Sequence, residues 1–171
     1  IKISFLDYTY GTNHSGAGEG KEYMIDIFEK DKVAGISFGG QMHGLVILDK
    51  NDEVIRPAIL WNDGRTTKQC EYLNEVIGRD KLSEYTANIA FAGFTAPKIL
   101  WVKENEPDNF AKIDKIMLPK DYIAYRLTGV HCTDVSDASG MLLFDVKNRR
   151  WSRQMLCLLY TSPSPRDSTS S

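Results

Sequence analysis

The apolar runs in the first half of this chain are short, and glycine or turn chemistry cuts off each one. Residues 33–38 (Val-Ala-Gly-Ile-Ser-Phe) stop at Gly39-Gly40. Residues 45–48 (Leu-Val-Ile-Leu) stop at Asp49-Lys-Asn-Asp-Glu53, and residues 54–61 follow at once. Short runs with β-branched side chains, bounded by turn residues, read as strands. The link at 49–53 predicts that 45–48 and 54–61 form a hairpin. Proline cannot donate to a ladder, so Pro57 marks an edge or a bulge. No run approaches the ~20 apolar residues of a membrane helix.

Helical spacing follows. Cys70, Leu73, Val76 and Ile77 recur on one face, with Gly78 as a stop, and Ala96, Ile99 and Leu100 start another helix. Asn105-Glu-Pro107 predicts a helix start, with Asn105 as N-cap and Pro107 in the first turn. Residues 113–118 read as a further buried strand. Pro119 then opens a helix with Asp121 in its first turn, running to Thr128 and ended by Gly129. This alternation of strands and helices predicts an α/β layered fold.

The chain has 171 residues, enough for one domain with a core. Its net charge of −2 gives no electrostatic reason to expect nucleic acid or an anionic membrane as partner. The start of the chain has no basic segment followed by an apolar core, so no signal peptide is expected. Cys70, Cys132 and Cys157 are far apart and odd in number, which suits free thiols in a reducing compartment, with the cytoplasm expected.

Two triplets carry the chemistry. Gln41-Met42-His43 follows the 33–38 run and its glycines, and Trp61-Asn62-Asp63 closes the 54–61 run. Ligands of open α/β sheets sit beyond the carboxyl ends of strands. His43 can donate to or accept from a hydroxyl. An indole face packs on a sugar's apolar face, while an amide and a carboxylate reach two hydroxyls. Such groups suit a small polyhydroxylated ligand. The residues alone leave plainer alternatives open: a packed His43 satisfied by backbone, Met42 and Trp61 in the core, and Asp63 capping a helix that begins near Arg65. Phe91-Ala-Gly-Phe-Thr95 is open in the same way, near the ligand or with both phenylalanines in the core. Asp134 and Asp137 fit a turn or cap better than an acid–base pair, and nothing in the sequence brings them to Gln41 or His43. His131-Cys132 has no spaced partners, so no metal site is expected. No Gly-x-x-x-x-Gly-Lys-Ser/Thr loop or Gly-x-Ser-x-Gly elbow occurs.

Gly35-Ile-Ser-Phe-Gly-Gly-Gln-Met-His-Gly44 and Pro57-Ala-Ile-Leu-Trp-Asn-Asp-Gly-Arg65 closely resemble the FGGY family of carbohydrate kinases. So do Gly93-Phe-Thr-Ala-Pro-Lys-Ile-Leu-Trp101, Met117-Leu-Pro-Lys-Asp-Tyr122 with Arg126-Leu-Thr-Gly129, and Asp134-Val-Ser-Asp-Ala-Ser-Gly140, so that the resemblance covers residues 33–156. It implies an incomplete first domain of the actin-like (ribonuclease H-like) ATPase fold. It implies a parent enzyme that phosphorylates D-xylulose to D-xylulose 5-phosphate with ATP, with Gln41, Met42, His43, Trp61, Asn62 and Asp63 contacting the ketose. ATP and Mg²⁺ would be cofactors of the parent, bound by none of this chain. The resemblance leaves a homodimeric parent open and implies no nucleic-acid or membrane partner. Gln-Met-His-Gly and Trp-Asn-Asp-Gly-Arg favour xylulose over ribulose, gluconate or glycerol. The glycerol branch would be expected to carry Arg-Glu where Met42-His43 stand. A non-catalytic sugar-binding remnant of the same fold is the alternative from another class.

Three zones follow from this reading. Residues 1–24 are a divergent lead-in, or one read in a different frame. Residues 25–156 are a partial sugar-binding domain. Residues 157–171 are a disordered, non-native tail: of its last eleven residues, nine are Ser, Thr or Pro. No Asp-Leu-Gly-Thr-Ser-like phosphate loop precedes residue 33, and the family's proton-accepting aspartate lies past the resemblance. No catalytic residue is therefore expected here, and the chain alone is expected to be inactive.

Overall fold

The computed structural model describes residues 39–161, which belong to one compact unit. The strand expected at 33–38, the 1–24 lead-in and residues 162–171 lie outside the described residues.

The first strand, β1 (Val46–Leu48), is buried along its whole length. It pairs antiparallel with β2 (Lys115–Met117), Val46 opposite Met117 and Leu48 opposite Lys115. Its other edge differs from the expected hairpin. Residues 54–61 form no continuous strand; their ladder pairing with 45–48 is limited to the bridges Leu48–Val54 and Leu45–Ile59. Ile59 N–H donates to Leu45 O at 3.1 Å, and Leu45 N–H returns the bond to Ile59 O at 2.8 Å. Between the bridges the 54–59 side is the longer, so the chain bulges at Arg56-Pro57-Ala58, with Ala58 packed against the cluster of Val46, Leu48 and Met117. Pro57 has no N–H to offer there, and the chain avoids the ladder where it would need one.

A long helical run follows. A 3-10 turn (Gly64–Thr66) leads into α1 (Thr67–Glu71), a π-helical stretch (Tyr72–Gly78) and α2 (Arg79–Thr86). The run does break at Gly78, which has φ +98°, but α2 begins at the next residue. Leu73 and Leu82 anchor the run in the core.

Helix α3 (Thr95–Asn105) is buried at Ala96, Ile99, Leu100 and Val102. Asn105 is not an N-cap. It is the last residue of α3, and its side-chain amide donates to Trp101 O at 2.9 Å. Glu106 N–H still donates to Val102 O (2.8 Å), so helical bonding carries past Asn105 and the break falls one residue later. Pro107 then opens the single turn α4 (Pro107–Phe110).

Helix α5 (Pro119–Thr128) has Pro119 in its first turn and ends at Gly129, in the left-handed conformation at φ +74°. Helix α6 (Val135–Ser139) is capped by Asp134, whose carboxylate accepts from Asp137 N–H at 2.9 Å. The hairpin β3 (Phe144–Asp145) with β4 (Arg150–Trp151) leads to α7 (Arg153–Thr161). Residues 157–161, assigned to the tail from the sequence, are the end of this helix. Met155 and Leu159 lie four apart on one face and are both buried, which holds that last part to the core. Strands and helices share one core of Leu45, Ile47, Ile59, Leu118, Leu142 and Met155. Among the described residues no helix is long and apolar enough to cross a membrane.

Candidate functional site

The Leu45–Ile59 bridge sets the site. Stepping back from Leu45 and forward from Ile59 leads off the same end of the ribbon, so His43 and Trp61 emerge side by side. The loop 91–95 lies against both. A β-carbon at Gly93 would come within 3.2 Å of Trp61 O, and the Phe94 ring stacks on His43 with centroids 5.0 Å apart.

His43 is held on four sides. Its φ is +65°, and Gly44 N–H donates to Met42 O at 2.8 Å, so His43 is the centre of a strained γ-turn. Its own carbonyl accepts from the Thr95 hydroxyl at 3.1 Å. Phe94 covers one face of the ring. Finally, Nδ1 lies 3.1 Å from Gly140 O. A carbonyl oxygen only accepts, so Nδ1 carries the proton, and in the neutral ring Nε2 is left as an acceptor. Among the described residues Nε2 has no partner. His43 is thus both packed and satisfied by backbone at one nitrogen, with the other available.

Its neighbours divide. Met42 is half-buried against the core. Gln41 O accepts from Lys120 N–H at 3.2 Å, which ties this segment to the start of α5. Trp61 is 58% exposed, which rules out the core placement, and Asn62 is exposed beside it. Among the described residues neither side chain has a hydrogen bond. Asp63 does cap the 3-10 turn: Oδ1 accepts from Arg65 N–H at 3.1 Å. Arg65 also grips the carboxylate through Nε, 2.9 Å from both oxygens. This hydrogen bonding and the guanidinium charge hold Asp63 below the usual carboxylate range. Asp63 is therefore a fixed anion and a poor proton acceptor.

The 91–95 loop is pinned from beneath by a residue that sequence reasoning missed. Lys98 is fully buried, and its Nζ donates to the carbonyls of Ala92 (3.0 Å), Gly93 and Phe94 (2.9 Å). Three acceptors match the three N–H bonds of an ammonium. Burial pushes its pKa down to about 8. Its place between the apolar, inward-facing Ala96, Ile99, Leu100 and Val102 of α3 was the available signal. Phe91 is half exposed and meets Phe94 edge to face, so only Phe94 packs inward.

Asp134 and Asp137 turn out to lie beside the site. Both reach the ammonium of Lys120, at 2.6 and 2.8 Å, and their helix α6 ends at Gly140, the acceptor of His43. Asp121, buried, is the third partner at 2.9 Å. His131 pairs with Asp52 at 3.1 Å and stacks on Tyr125, and Cys70 and Cys132 are free thiols. Among the described residues no group of three His, Cys, Asp or Glu side chains could hold a metal. Residues 41–43 and 61–63, which leave the paired ends of the ribbon at the Leu45–Ile59 bridge, make up the candidate wall. Two clefts, of about 500 and 450 Å³, are lined by other residues.

Comparison with known proteins gives the wall a context. Residues 21–164 match the FGGY family of carbohydrate kinases, N-terminal domain. A xylulose kinase of Lactococcus lactis is 53% identical over 124 residues, 72% of this chain and 25% of that protein. The crystal structure of a xyloylose kinase from Brucella ovis superposes with a TM-score of 0.75 at 42% identity, over 81% of this chain and 29% of that one. A gluconate kinase from Lactobacillus acidophilus superposes with a TM-score of 0.73 at 28% identity, over 79% of this chain and 28% of that one. The chain spans 24% to 30% of the length of eight curated xylulose kinases that it matches.

Proposed function

Because this chain belongs to the FGGY family of carbohydrate kinases, we propose that it is the ketose-binding part of an enzyme that transfers the γ-phosphoryl group of ATP to the terminal hydroxyl of D-xylulose. The observation that carries this reading is the His43 geometry. Gly140 O fixes the ring so that Nε2 is an acceptor with no partner among the described residues. A sugar hydroxyl donates to such an atom.

The other five residues complete the wall. Gln41 and Asn62 offer amides, Asp63 a fixed anion, Met42 an adaptable apolar edge and Trp61 an exposed ring for the sugar's apolar face. Phosphoryl transfer rests on placing the nucleophile and neutralising charge. This wall supplies the placement. ATP with Mg²⁺ would bring the phosphoryl donor and charge neutralisation, but the described residues do not fit that group. They hold no metal-ligand cluster, and Asp63 and the three aspartates on Lys120 are already committed to cations. No step of the transfer is therefore assigned to this wall. Among the described residues none is assigned to accepting the proton or to holding ATP.

A second reading, a gluconate-directed enzyme, has the superposition on the Lactobacillus acidophilus protein in its favour. ADP release by the complete enzyme with D-xylulose, D-ribulose, gluconate and glycerol in parallel tests both. D-Xylulose is expected to give the highest kcat/KM. Preference for gluconate would replace the first reading with the second.

A further inference from the structure

Lys120 sits where three pieces of the site meet. Its backbone N–H donates to Gln41 O at 3.2 Å. Its Cβ packs so close to Gly40 that a β-carbon there would lie 3.0 Å away. Its side chain is 12% exposed, and Nζ contacts Asp121 (2.9 Å), Asp134 (2.6 Å) and Asp137 (2.8 Å). Asp121 and Asp134 accept hydrogen bonds from the ammonium, and Asp137 pairs with its charge. Asp121 belongs to α5, Asp134 caps α6, and Asp137 is inside α6. The ammonium therefore clamps α6 onto the start of α5.

The clamp bears on the site because α6 ends at Gly140. Gly140 O holds Nδ1 of His43, and the imidazole lies so close that a β-carbon on Gly140 would meet Cε1 at 2.2 Å. A shift of α6 against α5 moves the carbonyl that orients His43. Gln41, hydrogen-bonded to the backbone of Lys120, is fixed by the same residue. Among the described residues the carboxylates have no alternative cation, and three of them around a missing ammonium repel one another.

We propose that Lys120 is a positioning residue for ketose binding, clamping α6 so that Gly140 presents His43 to the sugar while its backbone holds Gln41. The proposal rests on the ketose-binding reading of His43. It assigns Lys120 no contact with the sugar or with ATP.

The test is steady-state kinetics of the complete enzyme, with D-xylulose and ATP varied separately. Lys120→Met raises KM for D-xylulose about tenfold, the scale of a slightly misplaced binding group, and leaves KM for ATP within about twofold. Asp137→Asn, which keeps shape but weakens the clamp, moves the ketose KM the same way by about threefold. Arg56→Met serves as control, since it breaks the part-buried Arg56–Glu106 pair (2.9 Å), which has no hydrogen bond or ion pair to His43 or Lys120 among the described residues, and leaves the ketose KM within about twofold. Should Lys120→Met fail to fold, Asp137→Asn decides alone. A wild-type ketose KM in the clamp variants, while His43→Ala raises it, overturns the role of Lys120 and keeps the ketose reading. Equal rises in both KM values, matching those of Arg56→Met, mean general damage and also overturn it. If His43→Ala has no effect, the ketose reading falls and the role of Lys120 falls with it.

Discussion

Gly140 lies under the imidazole of His43, 97 residues away in sequence, with its carbonyl 3.1 Å from Nδ1 and no room for a β-carbon at 2.2 Å from Cε1. Gly140 has φ −84°, a value open to any residue, so its glycine is required by the ring and not by the backbone. Gly140→Ala should therefore push His43 off its acceptor. Overpacking of this kind costs about 1–3 kcal/mol of stability, and a KM for D-xylulose raised about tenfold should accompany it. Urea unfolding and kinetics on the same variant check the pair of effects.

Trp61 offers a cleaner separation of stability from binding. At 58% exposure it contributes little to the core, so Trp61→Ala should change stability by no more than about 0.5 kcal/mol. If its ring packs on the sugar, KM for D-xylulose should rise about tenfold. Thermal unfolding and kinetics of the variant give both numbers, and an unchanged KM removes Trp61 from the wall.

Lys98 supports the site through the loop it pins. Lys98→Met leaves the carbonyls of Ala92, Gly93 and Phe94 without their donor, and should cost about 3 kcal/mol or more. The pH dependence has a definite sign. In the fold the Lys98 pKa is about 8, against 10.5 for the free side chain. Between these values the unfolded chain binds more protons, so this residue makes stability rise with pH across that window. Chemical denaturation of wild type and Lys98→Met from pH 7.5 to 10 should show the rise in wild type relative to the variant.

Asp63 gives the opposite case. Arg65 holds its pKa below the ordinary 3.8, so its stabilisation is present above that value and is lost as pH falls through the lower, folded one. The pair is partly exposed and screened by salt. Asp63→Asn keeps the capping oxygen and loses the charge pairing. Acid unfolding should therefore lose part of its pH dependence below pH 4, while stability at pH 7 stays within about 1 kcal/mol.

The features legible in the sequence are those fixed within a few residues of themselves. Pro119 and Gly129 bound α5 because both act through local backbone geometry, and the capping alternative for Asp63 was readable for the same reason. Asn105 misled because its capping chemistry competes with one more helical bond, Glu106 N–H to Val102 O, which local pattern does not price. Residues 54–61 have strand composition, yet Pro57 and the bulge around it leave two bridges where a ladder was expected. The clamp of Lys120 and the pinning of the 91–95 loop by Lys98 were not legible. A lysine in a helix normally reads as solvated, and only tertiary contacts show these two to be enclosed. Gly140 and His43 both stood in recognisable motifs, but no spacing rule joins positions 43 and 140.

His43→Ala in the complete enzyme, assayed with D-xylulose, tests the central claim most directly. Removing an acceptor that the fold orients so fully should lower kcat/KM about a hundredfold, while the 3.1 Å contact to Gly140 O accounts for only a modest loss of stability. A kcat/KM within about twofold of wild type would contradict the account, leaving His43 a packed histidine and the wall no ketose site.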